Sequence, residues 1–411
     1  MSQRISADRV SGGQRPPAGG GGTSALRRLR SSIASSLGFR IWYGIGLETW
    51  LPLLRRHYKS LSVWQVPRAA LFTLLSAFSS LVGLFSRLIF ARRIRQVRLH
   101  PAPIFVLGHW RTGTTFLHEL LASDPRHIFP KGYQCGTPHL FLLLETSFRP
   151  LLGYALPERR PMDDMVLDLE RPQEDEYALL GLVGRSTLRS FIFPGDGPVD
   201  GAYLSLRKLD DKARAAWKEA WVYFLKSVAI RHGNDRRLVL KSPQHTARVR
   251  TILEVFPDAK FIHLVRNPHA VFASTVRTWQ ILSDTQGLQG SGAADPWVKE
   301  SVLATFEEMY RCYEEDRALI PTGNLYELRY EDLAADPMSA LGDIYRALDL
   351  GEATHWEGPV ARRVLESSDY KVRRHQLDPA DAALVARRWA DFIARYPYQD
   401  DVAGALRADK Q

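Results

Sequence analysis

The sequence has almost no cysteine, since Cys135 and Cys312 are the only two among its 411 residues. Two cysteines so far apart provide neither a disulfide framework nor a metal cluster. Such low usage is typical of proteins from a reducing compartment, which predicts a cytoplasmic location. With 45% hydrophobic and 24% charged residues, the composition is that of an ordinary globular protein.

Acidic residues are nearly missing from the first 100 positions, which hold two Asp/Glu against sixteen Lys/Arg. The remaining 311 residues hold 43 Asp/Glu and 39 Lys/Arg, so the formal charge of +10 belongs to the N-terminal part. Because the main body is not basic, nucleic acid is not expected as a ligand. An anionic membrane surface suits the basic extension better, which predicts peripheral contact with the inner face of a membrane.

Composition divides the chain into four parts. Residues 1–35 are rich in Gly, Ser, Pro and Arg and predict a disordered basic leader. Residues 36–100 predict a basic and apolar helical extension, residues 101–400 the main domain, and residues 401–411 a tail.

One uncharged run of eighteen residues, Ala69–Ser86, interrupts the basic extension. A membrane-spanning helix needs about 20 such residues, so the length is borderline. Small or polar residues recur within it at helical spacing, at Thr73, Ser76, Ser80 and Gly83, and the other faces are Leu and Phe. This stripe favours a helix that lies on, or packs into, something apolar. A membrane surface, a second copy and the main domain are all possible partners, and a span is not excluded.

The main domain alternates short apolar runs with helical patterns. Strands are predicted at 103–108, 237–241, 259–265 and 324–330, and helices at 113–122, 245–256, after 268, and at 338–348. Such alternation predicts an α/β fold with a parallel sheet covered by helices on both faces. Ligands of these sheets bind beyond the carboxyl ends of the strands.

The loop after the first strand lacks the residue that defines a nucleotide-hydrolysing P-loop. Gly108 and Gly113 have the P-loop spacing, but Thr114 stands where the phosphate-binding Lys belongs, and Arg111 comes three positions earlier. Backbone N–H groups at the start of a helix still form an anion cradle. Hydroxyl groups can assist them, from Thr112, Thr114 and Thr115. The loop is not equipped for a β,γ-phosphate with bound Mg²⁺, so no metal is expected.

A second anion site is predicted where another strand runs into a helix. Arg266 and Ser274 lie eight positions apart in "HLVRNPHAVFAS", residues 263–274. An Arg at the end of the strand and a Ser two turns into the helix can converge on a second phosphate. The two sites together indicate a ligand with two separate phosphate groups.

These motifs resemble those of the sulfotransferases that use 3′-phosphoadenosine-5′-phosphosulfate (PAPS). Their 5′-phosphosulfate loop, P-[KR]-S-G-T-T, matches "WRTGTT" at 110–115, and their Arg and Ser eight apart match Arg266 and Ser274. A Y-E-D segment matches 330–332, and "RRPMDD", "PQEDE", "LKSPQHT" and "DYKVRRHQLD" are similar to the bacterial and fungal branch, which resembles tyrosylprotein sulfotransferases. The resemblance covers residues 101–400 and implies a P-loop nucleotide-kinase-like fold with a helical N-terminal extension.

The resemblance also implies roles for individual residues. The donor would be PAPS, with its 5′-phosphosulfate on residues 111–115 and its 3′-phosphate on Arg266 and Ser274. Arg111 and Lys241 would be the cations of sulfuryl transfer, and Tyr330 would stack on adenine. The R-K-G-x-x-G-D-W-K motif of the cytosolic branch is not found. Three basic residues of "DYKVRRH" are candidates for its role at the 3′-phosphate: Lys371, Arg373 and Arg374.

The general base is less clearly marked. Related branches carry a Glu soon after the first helix, and none occurs in that stretch here. One candidate is the run "EDE" at 174–176, with Glu174 first, since a desolvated carboxylate is a competent base. The other is His245, four positions after Lys241, because an imidazole titrates near neutral pH. His109 and His118 are interpreted as structural.

Three kinds of function are therefore considered. The first is a PAPS-dependent sulfotransferase acting on a hydroxyl group. The others are a degenerate P-loop NTPase and a non-catalytic adaptor at the membrane surface. Apolar runs such as "FLLL" (141–144) and "FIFP" (191–194) favour a lipophilic alcohol, glycolipid or phenol as acceptor. Neither the acceptor itself nor the oligomeric state can be read from the sequence.

Overall fold

A computed structural model of the chain describes residues 40–155, 168–232, 236–290, 292, 294–367, 377–396 and 398. The predicted leader 1–35 and the predicted tail 401–411 lie outside these residues. Five strands are described, β1 (Ile104–Leu107), β2 (His127–Ile128), β3 (Arg237–Lys241), β4 (Lys260–Val265) and β5 (Leu325–Arg329).

The helices of the described part are as follows. Up to β3 they are α1 (Leu47–His57), α2 (Val66–Gln96), α3 (Thr114–Ala122), α4 (Gly132–Gly136), α5 (Phe141–Ala155), α6 (Asp175–Val183), α7 (Ala202–Ser205) and α8 (Asp211–Ala229). After β3 they are α9 (Val249–Val255), α10 (Pro268–Gln286), α11 (Asp295–Asp316), α12 (Tyr330–Ala335), α13 (Pro337–Ala347), α14 (Glu357–Ser367), α15 (Pro379–Arg388) and α16 (Ala390–Arg395).

The strands form one parallel sheet in the order β2-β3-β1-β4-β5. This confirms the α/β prediction, and all four predicted strands are present to within a residue or two at either end. The strand β2 was not predicted because two residues carry no periodic pattern. In the register of the sheet, Val106 of β1 lies beside Lys241 of β3, and Leu107 lies beside His263 of β4. The motifs that follow β1, β3 and β4 are therefore neighbours at one edge.

Side chains of β1 alternate between two buried clusters, one on each face of the sheet. Phe105 faces the larger cluster, which contains Trp221 of α8 and the N-terminal aromatic residues. Ile104 and Val106 face the smaller cluster with Leu117 of α3. Since both faces are covered, the strands read as continuous apolar runs, as is typical of parallel sheets.

One predicted helix, 245–256, is wrong in its first half. Residues Pro243–Ala247 form a 3₁₀ turn, and α9 begins only at Val249. Pro243 suits the first position of the turn because it needs no hydrogen-bond partner for its nitrogen. The side chains of 243–248 consequently point in directions that α-helical spacing does not predict.

The extension folds onto the main domain as the hairpin of α1 and α2. The polar stripe of α2 faces inward, and its hydroxyl groups donate to carbonyl oxygens, Ser76 to Ile45 at 2.9 Å and Ser86 to His139 at 3.2 Å. The indole N–H of Trp50 donates to Thr73 at 2.8 Å. The predicted one-sided helix is therefore present, and it packs on the domain through its small and polar side.

Candidate active site

The loop between β1 and α3 is shaped by three residues with positive φ. Gly108 has φ 142°, Arg111 68° and Gly113 92°. Successive turns of this kind direct backbone N–H groups to one side, which makes an anion-binding concavity. No side chain caps the first turn of α3, so its backbone N–H donors are available to an anion in this concavity. The hydroxyl of Thr112 donates to the His109 carbonyl at 2.7 Å and thereby holds the loop closed.

The second predicted anion motif meets this loop. The Nε of Arg111 donates to the hydroxyl of Ser274 at 3.0 Å, and Arg266 donates to the carbonyl oxygen of Arg111 at 2.8 Å. The guanidinium of Arg266 also lies over the ring of Tyr330, 4.4 Å from its centroid. Residues from three strand ends thus converge around one loop, as their order in the sheet requires.

Gly113 lies against the Tyr330 ring, and we expect Gly113→Ala to weaken binding of the phosphate-bearing ligand that the loop motif predicts. A Cβ at this position would lie 2.2 Å from Cδ2 of Tyr330, and the φ of 92° is unfavourable for any residue with a side chain. The loop must shift, so affinity for 3′-phosphoadenosine-5′-phosphate should fall by about tenfold or more, consistent with ~1–3 kcal/mol of backbone strain. Calorimetric titration measures this. As a control, Gly342→Ala meets nothing within 4 Å and should bind normally.

The three other predicted 3′-phosphate residues, Lys371, Arg373 and Arg374, lie outside the described residues. The two histidines interpreted as structural are buried. Burial lowers the pKa of His109 to about 4 and that of His118 to about 3, so both rings are neutral. Each ring contacts a backbone carbonyl, His109 that of Trp110 and His118 that of Val239.

Glu174 and Lys241 form an ion pair, with 2.6 Å between Oε1 and Nζ. The side chain of Lys241 is 3% exposed and that of Glu174 is 11% exposed. Lys241 ends β3, and Glu174 precedes the first residue of α6. The predicted base and one of the predicted cations are therefore direct partners, which neither motif reveals by itself because 67 positions separate them.

The next two carboxylates of the run are held by the same segment. Asp175 accepts hydrogen bonds from Ser242 at 2.6 Å and from Trp221 at 2.7 Å. Glu176 pairs with Arg248 at 2.6 Å. Residues 174, 175 and 176 are thus each anchored to the segment 241–248, an arrangement we call the carboxylate ladder.

His245 belongs to this ladder and does not face the space beside Glu174. Its Nε2 lies 3.0 Å from both carboxylate oxygens of Asp175, and the side chain is fully buried. Burial alone would raise the pKa of Asp175, but His245 holds it well below the ordinary value. This geometry opposes the prediction of His245 as the base, because the imidazole is turned toward the core. It leaves Glu174 as the candidate that reaches solvent-accessible space.

A cavity of about 120 Å³ lies between the loop and the carboxylate ladder. Its charged lining residues are Arg111 and Glu174, and Thr114 and Thr115 of the loop contribute hydroxyl groups. The rest of its wall is largely apolar and aromatic, including Trp110, Tyr177, Phe191, Trp279, Leu282 and Trp297. The cavity can therefore hold a hydroxyl-bearing molecule against apolar side chains, with a carboxylate and a guanidinium in the same wall.

Some of the residues that line the cavity were identified from the sequence. Phe191 comes from the predicted "FIFP" run, whereas Phe141 and Leu142 of "FLLL" are buried in the core and do not line the cavity. Trp110, a departure from the family motif, packs edge-on against Trp279 with 5.7 Å between the ring centroids. A Trp at this position of the loop could have marked it as a lining residue. No sequence pattern marks Trp279 or Trp297 in this way.

Comparison with protein families finds a match of residues 103–354 to the sulfotransferase family. The chain is 36% identical over 376 residues to the omega-hydroxy-beta-dihydromenaquinone-9 sulfotransferase Stf3 of Mycobacterium bovis, which covers 92% of this chain and 94% of that protein. The Stf3 of Mycobacterium tuberculosis matches equally well.

Two solved structures share the fold. Sulfotransferase STF9 from Mycobacterium avium superposes with a TM-score of 0.63 at 17% identity, over 91% of this chain and 96% of that one. Sulfotransferase STF1 from Mycobacterium tuberculosis gives a TM-score of 0.58 at 19% identity, over 89% and 98%. At these identities the likeness concerns the fold alone.

Proposed function

The chain belongs to the sulfotransferase family and is an enzyme that transfers a sulfuryl group to a hydroxyl, and we propose that its acceptor is a lipophilic alcohol bound in the cavity beside Glu174. The family implies PAPS as the sulfuryl donor. The observation that carries the proposal is the position of Glu174, which lines the cavity and pairs with Lys241. Neither alternative, the adaptor or the degenerate NTPase, gains support from the relatives.

The residues present fit the phosphate groups of PAPS. The loop would hold the 5′-phosphosulfate through its backbone N–H groups and through Thr114 and Thr115, which line the cavity. Arg266 and Ser274, which already contact Arg111, would hold the 3′-phosphate. The ring of Tyr330 lies beside Gly113, and the guanidinium of Arg266 lies over the same ring. Stacking of Tyr330 on adenine stays a prediction.

PAPS supplies an activated sulfuryl group with a phosphate as leaving group, and the protein must handle one proton and the developing negative charge. Glu174 is placed to accept the proton of the acceptor hydroxyl. Once Glu174 is neutral, its hold on the ammonium of Lys241 weakens, because a charge-assisted hydrogen bond becomes a neutral one. Lys241 then joins Arg111 as a cation for the transferred group.

The lining of the cavity favours an apolar acceptor. Five of its lining residues are aromatic and several others are aliphatic, and the relative Stf3 is named for omega-hydroxy-beta-dihydromenaquinone-9, a hydroxylated lipophilic molecule. We propose a substrate of the same class, an alcohol on a lipophilic body. The basic extension and the low cysteine content support a cytoplasmic enzyme in contact with the inner face of a membrane.

Calorimetric titration with 3′-phosphoadenosine-5′-phosphate, without Mg²⁺, tests the donor site. We expect tight binding that requires the 3′-phosphate, with adenosine 5′-phosphate as the comparison ligand. Arg266→Ala should weaken it about 30-fold, the loss of a charged hydrogen bond of ~2 kcal/mol. Arg277→Ala, an exposed change in α10, the helix that follows Arg266, should bind like the wild type. Equal binding of both nucleotides, or an unaffected Arg266 variant, would refute the donor site.

A further inference from the structure

The exposed hydrophobic side chains of the described residues are concentrated on one hairpin. Thirteen of the fifteen large ones lie between Leu51 and Ile89, in α1, α2 and their connection. On α2 the exposed residues are Val66, Leu74, Leu75, Phe78, Leu81, Leu84, Phe85, Leu88 and Ile89. This helix is inverted relative to an ordinary surface helix, because its small polar side is buried and its Leu and Phe side faces outward. We call the outward side the apolar face.

The apolar face belongs to a helix that is long enough to cross a membrane, yet its packing opposes a span. One third of the residues in its most apolar stretch are buried against the protein. Its buried contacts with the body run from Ala69 to Ile94, about 38 Å at 1.5 Å per residue. A bilayer hydrocarbon core is ~30 Å thick, so a span would draw the body into it. The helix can meet a membrane only lengthwise.

Charge identifies the occupant of this face. Residues 47–100, which include the hairpin, contain nine Lys/Arg and one Asp/Glu, Glu48. Most are exposed and stand at the two ends of the hairpin: Arg55, Arg56 and Lys59 near the tip, and Arg87, Arg92, Arg93, Arg95 and Arg98 at the other end. Arg92 and Arg95 follow Leu88 at spacings of four and three, so they continue the apolar face. A second copy on this face would bring many cations together with one carboxylate per copy, Glu48, whereas anionic lipid headgroups complement the cations.

The tip of the hairpin adjoins the wall of the acceptor cavity. The N–H of Ser62, between α1 and α2, donates to the carbonyl of Leu288 at 3.0 Å, and the N–H of Leu288 donates to Ile192 at 3.0 Å. The ring of His57 stacks on Phe193 with 4.4 Å between centroids. Ile192 and Phe193 lie in the segment 187–201, which supplies seven residues of the cavity wall.

We propose that the apolar face and its flanking arginines dock the enzyme lengthwise on an anionic bilayer, so that the cavity receives its alcohol directly from the membrane. This proposal rests on the lipophilic acceptor proposed above. Docking inserts the Leu and Phe side chains at the level of the headgroups and brings the segment 187–201 to the same surface. The acceptor then need not pass through water.

Flotation of the full chain with vesicles tests the docking. The wild type should float with phosphatidylcholine mixed with phosphatidylglycerol, and much less with phosphatidylcholine alone. The triple variant Leu81→Gln, Leu84→Gln, Leu88→Gln should reduce the bound fraction at least tenfold, and so should Arg92→Gln, Arg93→Gln, Arg95→Gln. The matched control is Leu319→Gln, Leu365→Gln, which changes the two exposed leucines outside the hairpin and should float normally.

Each other outcome overturns the proposal. The proposal is refuted if the wild type does not bind anionic vesicles. It is also refuted if the leucine variant binds them as well as the wild type does. Resistance to extraction by alkaline carbonate would indicate a span, and a dimer that the leucine variant dissociates would indicate a second copy.

Delivery is tested by transfer rates to an acceptor in vesicles and in detergent. We expect the leucine variant to lose activity only in vesicles. Titration of the same samples with 3′-phosphoadenosine-5′-phosphate separates the two proposals. A wild type that does not bind this nucleotide would refute the donor site, whereas the flotation result for docking would still stand.

Discussion

Glu174→Gln should lower kcat by roughly 10²–10⁴-fold, the contribution of a positioned general base. The amide keeps the shape of the side chain but cannot accept the proton of the acceptor hydroxyl. Binding of 3′-phosphoadenosine-5′-phosphate should change little, because Glu174 is not among the residues proposed to hold its phosphate groups. Transfer from radiolabelled PAPS to a lipophilic alcohol that the wild type sulfates measures the effect.

Glu254→Gln is the matched control for this experiment. Glu254 also pairs with a lysine, Lys218, at 3.0 Å, but on the surface and away from the cavity. The control should retain full activity, since exposed pairs contribute little to stability. A Glu174→Gln enzyme with wild-type kcat would remove Glu174 from the chemistry and leave it a purely structural partner of Lys241.

Lys241→Met should lower kcat by about 10²–10³-fold, the usual cost of one preorganised charge-stabilising donor. It should also lower the melting temperature, because the nearly buried carboxylate of Glu174 loses its cation. The double variant Glu174→Gln, Lys241→Met should melt at a higher temperature than Lys241→Met alone, since no unpaired buried charge remains. Its kcat should fall little below that of the worse single variant, because the two residues act as a unit.

Lys218→Met provides the comparison on the surface and should affect neither rate nor melting temperature. If the effects of Glu174 and Lys241 on kcat simply multiplied, the two side chains would act independently, which the 2.6 Å pair opposes. Full activity of Lys241→Met would assign the cation role to Arg111 alone.

The sheet was predictable because each strand is a short apolar run followed by a turn. Ile104–Leu107 and Lys260–Val265 are buried on both faces, and burial on both faces makes such runs continuous. The convergence of Arg111, Arg266 and Ser274 followed from the same logic, since the carboxyl ends of parallel strands share an edge.

The direction of side chains in an irregular turn was not predictable. The spacing of Lys241 and His245 suggested that both face the substrate, but the 3₁₀ turn aims the imidazole at Asp175 in the core. The pairing of Glu174 with Lys241 was equally hidden, because nothing local links positions 67 apart. The stripe on α2 was visible, but the sequence could not say that its polar side faces the protein.

The bond between Arg111 and Ser274 joins positions 163 apart, and the one between Arg266 and the Arg111 carbonyl joins positions 155 apart. Such contacts of high sequence separation form late, because loop closure must come first. During synthesis, the loop after β1 is made long before the residues that contact it, and α10 must leave the ribosome before the two parts can meet. A growing or truncated chain that ends before Ser274 therefore lacks these contacts around the loop.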